Sequence, residues 1–336
     1  MLDNKTLKDY NYVGVLGDIC QKFVAEKRAT GLKYDVVAKK LNQMCRDSLN
    51  YDIEKNTLPE CFVRDWITKR PHETESNRHC RYSVIRGLAQ YMNRIGYVAF
   101  YPGKEEVAKY SRTFVPYIFT HNEIKRFFTA ANNFVREKYS SSPRCHIVMP
   151  VIMRVLYCCG LRVSEAVGLR ISDVDLEMGI LTICASKHEK SRYVPVSDEL
   201  ICVLREYAKT ISDRKNDAGY FFAAPDSGIY DTYTIYAAFR KVLRDAGIPH
   251  GGKGKGPRLH DFRHSFAVHS MQKFIAEGKD VTAMLPKLSA YLGHVSFRYT
   301  EPYVRMTAEV YPEISALLNK RYGQLIPNAE GYHEDN

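Results

Sequence analysis

Four separated stretches of the chain collect side chains able to act on a phosphate. They are Gly160-Leu-Arg162-Val-Ser-Glu165, Ser186-Lys187, His260-Asp-Phe-Arg263-His264, and Leu292-Gly-His294 with Tyr303 nine residues further on. A phosphodiester under attack builds charge on its non-bridging oxygens. A guanidinium meets that charge with a rigid two-donor fork that a lysine lacks, which makes Arg162 and Arg263 the candidate clamps. His260 and Arg263 are spaced i and i+3, so on one helix they point at one target, and His294 adds a further donor. Each fragment alone also has a plain structural reading, such as a helix end followed by a new helix for Gly160–Glu165. His260 and His264 share the i, i+4 spacing of zinc ligands, but no third ligand is placed by the sequence and Arg263 between them would repel a cation. Tyr303 must be told apart from Tyr299, four residues earlier, in a chain with 24 tyrosines.

In their order and spacing these four stretches resemble the tyrosine recombinase (phage integrase) family. The resemblance covers roughly residues 113–322 by motif, and residues 1–100 only by helical character and position. It implies that Tyr303 is the nucleophile, attacking phosphorus to give a 3′-phosphotyrosyl enzyme and a free 5′-hydroxyl. A phenol with its ordinary pKa near ~10 needs assistance to attack at neutral pH, and His260 is the candidate for giving it. By the same resemblance Lys187 is the general acid for the departing 5′ oxygen, with Lys190 in the same turn as its rival. Glu165 is carried over as a supporting residue that orients its neighbours. The family often has Leu where this chain has Phe262, and the segment from Glu277 to Pro286 looks longer than in minimal members. Each step exchanges one phosphodiester for another, so neither ATP nor a metal is expected. Consistently, the sequence has no GxxxxGK[ST] loop.

These residues need a scaffold, and the hydrophobic periodicity supplies one. Helices are predicted over 10–28, 35–49, 60–68 and 76–94, with Tyr82, Ile85, Leu88, Ala89 and Met92 forming one apolar face of the last. Residues 101–116 read as a linker. Thr120-x-x-Glu123 then supplies a capping box that opens a second helical unit. Within it, residues 179–185 and 192–196 switch to strand character around a charged turn, predicting a hairpin. Helices near 198–210, 232–246, 261–274, 282–291 and 307–321 follow. The expected class is mainly α with a small β-sheet (α+β): a helical core-binding domain at 1–100, the linker, a catalytic domain at 117–325 and a tail at 326–336. Together these are expected to form a C-shaped clamp on DNA. The apolar stripe Val310, Ile314, Leu317 and Leu318 could pack in cis or, as the family implies, on a neighbouring subunit.

Composition narrows the partners. The chain has 49 Lys and Arg against 38 Asp and Glu, a net charge of +11 that favours a polyanion. Duplex DNA with specific sites is the expected partner, and Arg78, Arg81, Arg86, Lys190, Arg192, Lys253, Lys255 and Arg258 are the candidate DNA contacts. Nine scattered cysteines without a CxxC motif indicate neither a disulfide framework nor a zinc ribbon. No stretch reaches the roughly 18 apolar residues of a membrane span, so a cytoplasmic, nucleoid-associated protein is expected. The resemblance further implies a homotetramer on two DNA sites, serving integration or excision of a mobile element, with an accessory DNA-bending protein or a partner recombinase as a further requirement in some members. Two other functions compete. A type IB topoisomerase would relax any plasmid without a defined site, and a catalytically silent DNA-binding subunit would be indifferent to loss of Tyr303.

Overall fold

A computed structural model describes residues 9–106, 115–135, 144–184, 191–211, 219–226, 228–252, 256–294, 300, 302–303 and 306–307. The chain divides into two compact units, Met1–Phe114 and Val115–Asn336.

The N-terminal unit is built from α1 (Gly17–Ala29), α2 (Asp35–Ser48), α3 (Glu60–Ile67) and α4 (Glu75–Arg94). The whole predicted stripe of α4 is buried, and with Phe23, Leu41, Met44, Phe62 and Trp66 it forms a single core. Thr74 starts α4 by accepting a hydrogen bond from the Asn77 backbone N–H. α1 begins at Gly17, seven residues later than the apolar pattern predicts. Gly14 adopts φ +75°, which ends any helical run before it, and a Cβ on Gly17 would sit 2.6 Å from the Tyr12 carbonyl oxygen. Two two-residue strands, β1 (Thr57–Leu58) and β2 (Val98–Ala99), pair in parallel, a feature not expected from the sequence.

The first part of the predicted linker belongs to this unit. Tyr82 donates a hydrogen bond from its hydroxyl to the Gly103 carbonyl at 2.7 Å, and Arg64 pairs with Glu106 at 2.7 Å.

Three of the proposed DNA contacts are committed inside this unit. Arg81 is a correction to the sequence reading: its side chain is 3% exposed, donates through Nε to Glu73 at 2.8 Å and through Nη2 to the Thr68 carbonyl at 2.8 Å, and lies over the Trp66 ring. Burial of an arginine at this depth requires such a partner, and it removes the charge from any DNA-facing surface. Arg78 donates to the Ile67 carbonyl at 2.9 Å, while Arg86 bonds the hydroxyls of Tyr82 and Tyr101 at 2.6 Å each.

The C-terminal unit begins with α5 (His121–Asn132), entered through the predicted capping box. The Thr120 hydroxyl accepts from the Glu123 N–H, and the Glu123 carboxylate accepts from the Thr120 N–H at 2.8 Å. The apolar run after residue 144 forms the buried helix α6 (Cys145–Cys158), followed by the short α7 (Val163–Val167). The hairpin is present as β4 (Ile180–Ile183) and β5 (Arg192–Pro195), and an unpredicted strand, β3 (Val174–Asp175), joins it to complete an antiparallel sheet in the order β3-β4-β5. Then come α8 (Asp198–Ile211), α9 (Thr232–Asp245), α10 (Asp261–Ala276) and α11 (Val281–Leu292).

α10 packs against both α6 and α11 and buries residues on nearly every side, as a central helix must. Phe262, at the position where the family often has Leu, is fully buried among Phe119, Phe127 and Phe239, with ring centroids 5.0–5.4 Å apart. The substitution therefore supplies core packing rather than chemistry. Among the described residues no helix is long and apolar enough to cross a membrane. The predicted final helix and its apolar stripe, together with the tail, lie almost entirely outside the described residues.

Candidate active site

Two glycines shape the floor of the site. Gly160 adopts φ +58°, and a Cβ there would meet Phe266 at 2.6 Å and Leu292 at 2.9 Å. Only glycine lets the chain turn from α6 toward α7 this close to α10 and α11. Gly293 caps α11 in the left-handed conformation, and the Arg192 guanidinium fills the space a Cβ there would need, 2.7 Å from it.

Arg263, in the first turn of α10, is 1% exposed. It donates through Nη1 to the Gly160 carbonyl at 2.8 Å and through Nη2 to the Leu292 carbonyl at 2.6 Å, tying the turn between α6 and α7 and the end of α11 to α10. Burial, together with the neighbouring Arg162 charge, lowers its pKa to about 10.

Glu165 organises the cations. Its Oε2 accepts the Arg162 backbone N–H at 2.8 Å, closing the N-terminus of α7. The same carboxylate takes Arg162 Nη1 at 2.7 Å and both terminal nitrogens of Arg192, at 3.1 and 2.9 Å, and stands 4.0 Å from Arg263. Burial alone would raise its carboxyl, but the Arg192 and Arg162 hydrogen bonds and charges hold it below the usual range. Arg162 also reaches the Gly293 carbonyl at 3.4 Å, and its side chain stays 42% exposed.

Arg192 is a second correction. Expected on a DNA-facing turn, its side chain is 14% exposed, bidentate to Glu165 and bonded through Nε to the Tyr291 carbonyl at 2.8 Å. It closes the site from β5 by linking Glu165 to the end of α11.

The phenol of Tyr303 lies within this group. It is 3% exposed, and its hydroxyl is 3.0 Å from His264 Nδ1. The His294 ring stacks parallel to it, with centroids 6.2 Å apart, and His294 Nδ1 pairs with the Thr300 hydroxyl at 2.7 Å. Burial raises the Tyr303 pKa, against the pull of the Arg263 and Arg162 charges. Burial and the arginines keep His294 neutral, with its pKa down to about 4.

His260 occupies the N-cap position of α10 without a capping hydrogen bond from its side chain, and packs its ring edge-to-face on His264, 4.9 Å between centroids. The hydrogen-bond partner of Tyr303 is therefore His264 rather than His260. The i, i+4 spacing already placed both histidines on one face, but nothing in the sequence says which of them lies under the phenol.

Arg258, 42% exposed at its side chain, stands 3.6 Å from the fully buried Asp261, whose Oδ2 accepts the Arg258 backbone N–H at 2.8 Å. Lys187, Lys190, Lys253, Lys255 and Tyr299 lie outside the described residues. Among the described residues no group of three or more His, Cys, Asp or Glu side chains could hold a metal ion.

This arrangement can receive an anion. Three guanidinium groups surround one carboxylate, leaving an excess of positive charge beside a phenol whose hydroxyl is already hydrogen-bonded.

The Sinorhizobium fredii protein provisionally named integrase/recombinase y4rB is 31% identical over 213 residues, 62% of this chain and 67% of that protein. The chain spans 51 and 59% of the length of two other curated relatives. The solved XerH site-specific recombinase bound to palindromic difH substrate aligns over 90% of this chain and 83% of its own, with a TM-score of 0.67 at 17% identity. The Tn1549 transposon integrase in complex with transposon right end DNA aligns over 89 and 99%, with a TM-score of 0.61 at 14% identity. At these identities the two structures show a common fold. The model of the phage integrase family matches residues 118–309, more than half of the chain and all of the residues that build the site, and the chain therefore belongs to that family.

Proposed function

We propose that this protein is a site-specific DNA recombinase that cuts and rejoins duplex DNA through a covalent bond between Tyr303 and a 3′ phosphate. The observation that carries this reading is the burial of the Tyr303 hydroxyl against α10, beside the Arg162–Glu165–Arg192–Arg263 cluster.

Arg162, the most exposed of these cations, binds the non-bridging oxygens of the scissile phosphate. Arg263 holds the Gly160 and Leu292 carbonyls in place and turns its remaining N–H donors to the same phosphate, with His260 and His294 as further donors. Removing one such donor costs about 10²- to 10³-fold in rate. Lys187, between β4 and β5 in sequence, protonates the departing 5′ oxygen. Glu165 and Arg192 position these groups. Four copies of the chain act on two DNA sites, and a mobile element is the substrate. The relatives named as integrases and the transposon integrase bound to transposon end DNA support the last point.

Covalent trapping tests the reading. Wild type, Tyr303→Phe and Tyr299→Phe are incubated with supercoiled DNA carrying the ends of the protein's own genomic locus and stopped with detergent. An adduct on a DNA 3′ end, lost in Tyr303→Phe and kept in Tyr299→Phe, is the expected result. Relaxation of unrelated plasmid at the same rate would favour a topoisomerase, and an adduct surviving in Tyr303→Phe would refute the nucleophile.

A further inference from the structure

We propose that Tyr291 is a positioning residue for the phosphate-binding arginines: it fastens the end of α11 to β5, and that helix end holds the arginines in orientation without cancelling their charge. The inference deepens the reading of the site given above and rests on it.

The last carbonyls of α11 are all accounted for. A helix leaves its final four C=O groups without partners inside the helix. Here Gly293 and His294 turn their backbone N–H groups back onto the Ala290 and Ser289 carbonyls, at 3.0 and 3.1 Å, which satisfies two of them. The next three carbonyls along the chain each accept from a different arginine: Tyr291 from Arg192 Nε at 2.8 Å, Leu292 from Arg263 Nη2 at 2.6 Å and Gly293 from Arg162 Nη2 at 3.4 Å. These are the same three arginines that gather at Glu165. Further carboxylates could also hold them, but each would remove a positive charge. Carbonyl oxygens at the negative end of a helix dipole orient guanidinium groups and leave that charge in place for a phosphate.

Such a holder works only if it is itself fixed, and Tyr291 fixes it from both ends of the residue. Its backbone carbonyl takes Arg192, the first residue of β5, and its hydroxyl donates to the carbonyl of Pro195, the last, at 3.1 Å. Its ring stacks on Phe266 of α10, with 5.4 Å between centroids and 21° between planes. Burial raises the pKa of this phenol, so its hydroxyl stays a donor at neutral pH. The hydroxyl is spent on β5 and not on the phosphate, so Tyr291 acts on the reaction through Arg192 and the helix end.

Tyr291→Phe removes the hydroxyl and keeps the ring, and two measurements on full-length protein read the result. In hydrogen exchange followed by mass spectrometry, peptides covering the end of α11 and β5 should exchange severalfold faster than in wild type, with the N-terminal unit unchanged. Detergent-trapped adduct is then timed on supercoiled DNA carrying the ends of the protein's own genomic locus, with protein in excess so that the rate reports the step after binding. The rate should fall about tenfold or more, since small misplacements of reacting groups cost up to about 10²-fold, while DNA retention on a filter without detergent matches wild type. Arg192→Gln completes a double-mutant cycle. A residue that acts through Arg192 has little left to position once that side chain is gone, so Tyr291→Phe should cost no more than about twofold in that background, whereas a general loosening of the fold would cost the same factor in both.

Unchanged exchange at the end of α11 would overturn the anchor. A rate within about threefold of wild type, or a cost undiminished beside Arg192→Gln, would overturn the positioning role. Tyr303→Phe, run alongside, keeps the claims apart. An adduct persisting in that variant sinks the nucleophile, and no adduct in wild type sinks the recombinase reading, whereas hydrogen exchange decides the anchor in either case.

Discussion

Arg81 in the N-terminal unit and Arg162 in the C-terminal unit each meet a glutamate, yet the two pairs differ in kind. Arg81 and Glu73 are 3 and 4% exposed at their side chains, one charge against one, with the Trp66 ring beside them. The guanidinium holds the Glu73 carboxyl down to about 2. Glu165 instead serves Arg162 and Arg192 and neighbours Arg263, and the Arg162 side chain is 42% exposed. A balanced, closed pair fastens one part of a fold to another and offers nothing to solvent. An unbalanced cluster keeps positive charge at the surface, where the proposed function puts the phosphate. The carboxylates around an arginine, more than the arginine itself, decide whether it supports the structure or binds substrate.

The largest effect that would sharpen this contrast is at Arg81. Arg81→Met leaves the Glu73 carboxylate without its counter-charge, held only by the Arg70 backbone N–H and the Asn77 amide, and should destabilise the N-terminal unit by about 3–5 kcal/mol. Trp66, the single tryptophan of the chain, reports it directly by fluorescence in urea or on heating. An unmoved Trp66 transition would break the comparison.

A further effect follows from pH. His264, His269 and His294 are held neutral, mainly by burial, with pKa values down to about 3, 4 and 4. The unfolded chain takes up protons at these sites below its ordinary value of ~6.5. Their contribution is therefore fully present above that pH and is lost as pH falls toward 4, at up to about 1.4 kcal/mol per unit for each histidine. Glu73 has its pKa depressed instead, so its contribution persists down to about pH 4.5 and disappears between there and 2. Far-UV circular dichroism should begin to fall near pH 6 while Trp66 emission holds to about pH 4. A simultaneous loss of both signals would contradict separate acid sensitivities.

Much of this molecule is legible in its sequence. The stripe of α4, the capping box at Thr120 and Glu123, and the hairpin of β4 and β5 all follow from local periodicity and local hydrogen bonding, which the chain encodes residue by residue. β1, β2 and β3 are two residues each and exist because tertiary packing brings their partners alongside, so no local pattern announces them. α1 starts late because of backbone geometry at Gly14 and Gly17, which hydrophobic spacing does not record. Within the site, residue type and spacing picked out Arg162, Glu165, His260, Arg263, His294 and Tyr303, and the fold brings these together. The sequence could not tell a DNA-facing arginine from a buried one, because Arg81 and Arg192 are given their roles by carboxylates 8 and 27 residues away. His264 escaped for a related reason. Its spacing from His260 is equally that of a zinc pair, and only the path of the chain back to Tyr303 gives it a phenol to face.

The central claim is that the unbalanced cluster serves phosphate chemistry and not the stability of the fold. Arg162→Gln tests it most directly when one preparation is assayed for both trapped DNA adduct and thermal unfolding. The adduct yield is expected to be about 10²- to 10³-fold lower, with stability changed by no more than about 1 kcal/mol, because the Arg162 side chain is itself partly exposed and Glu165 keeps Arg192 as its partner. An undiminished adduct, or one that falls only in step with the fraction of folded protein, would contradict it.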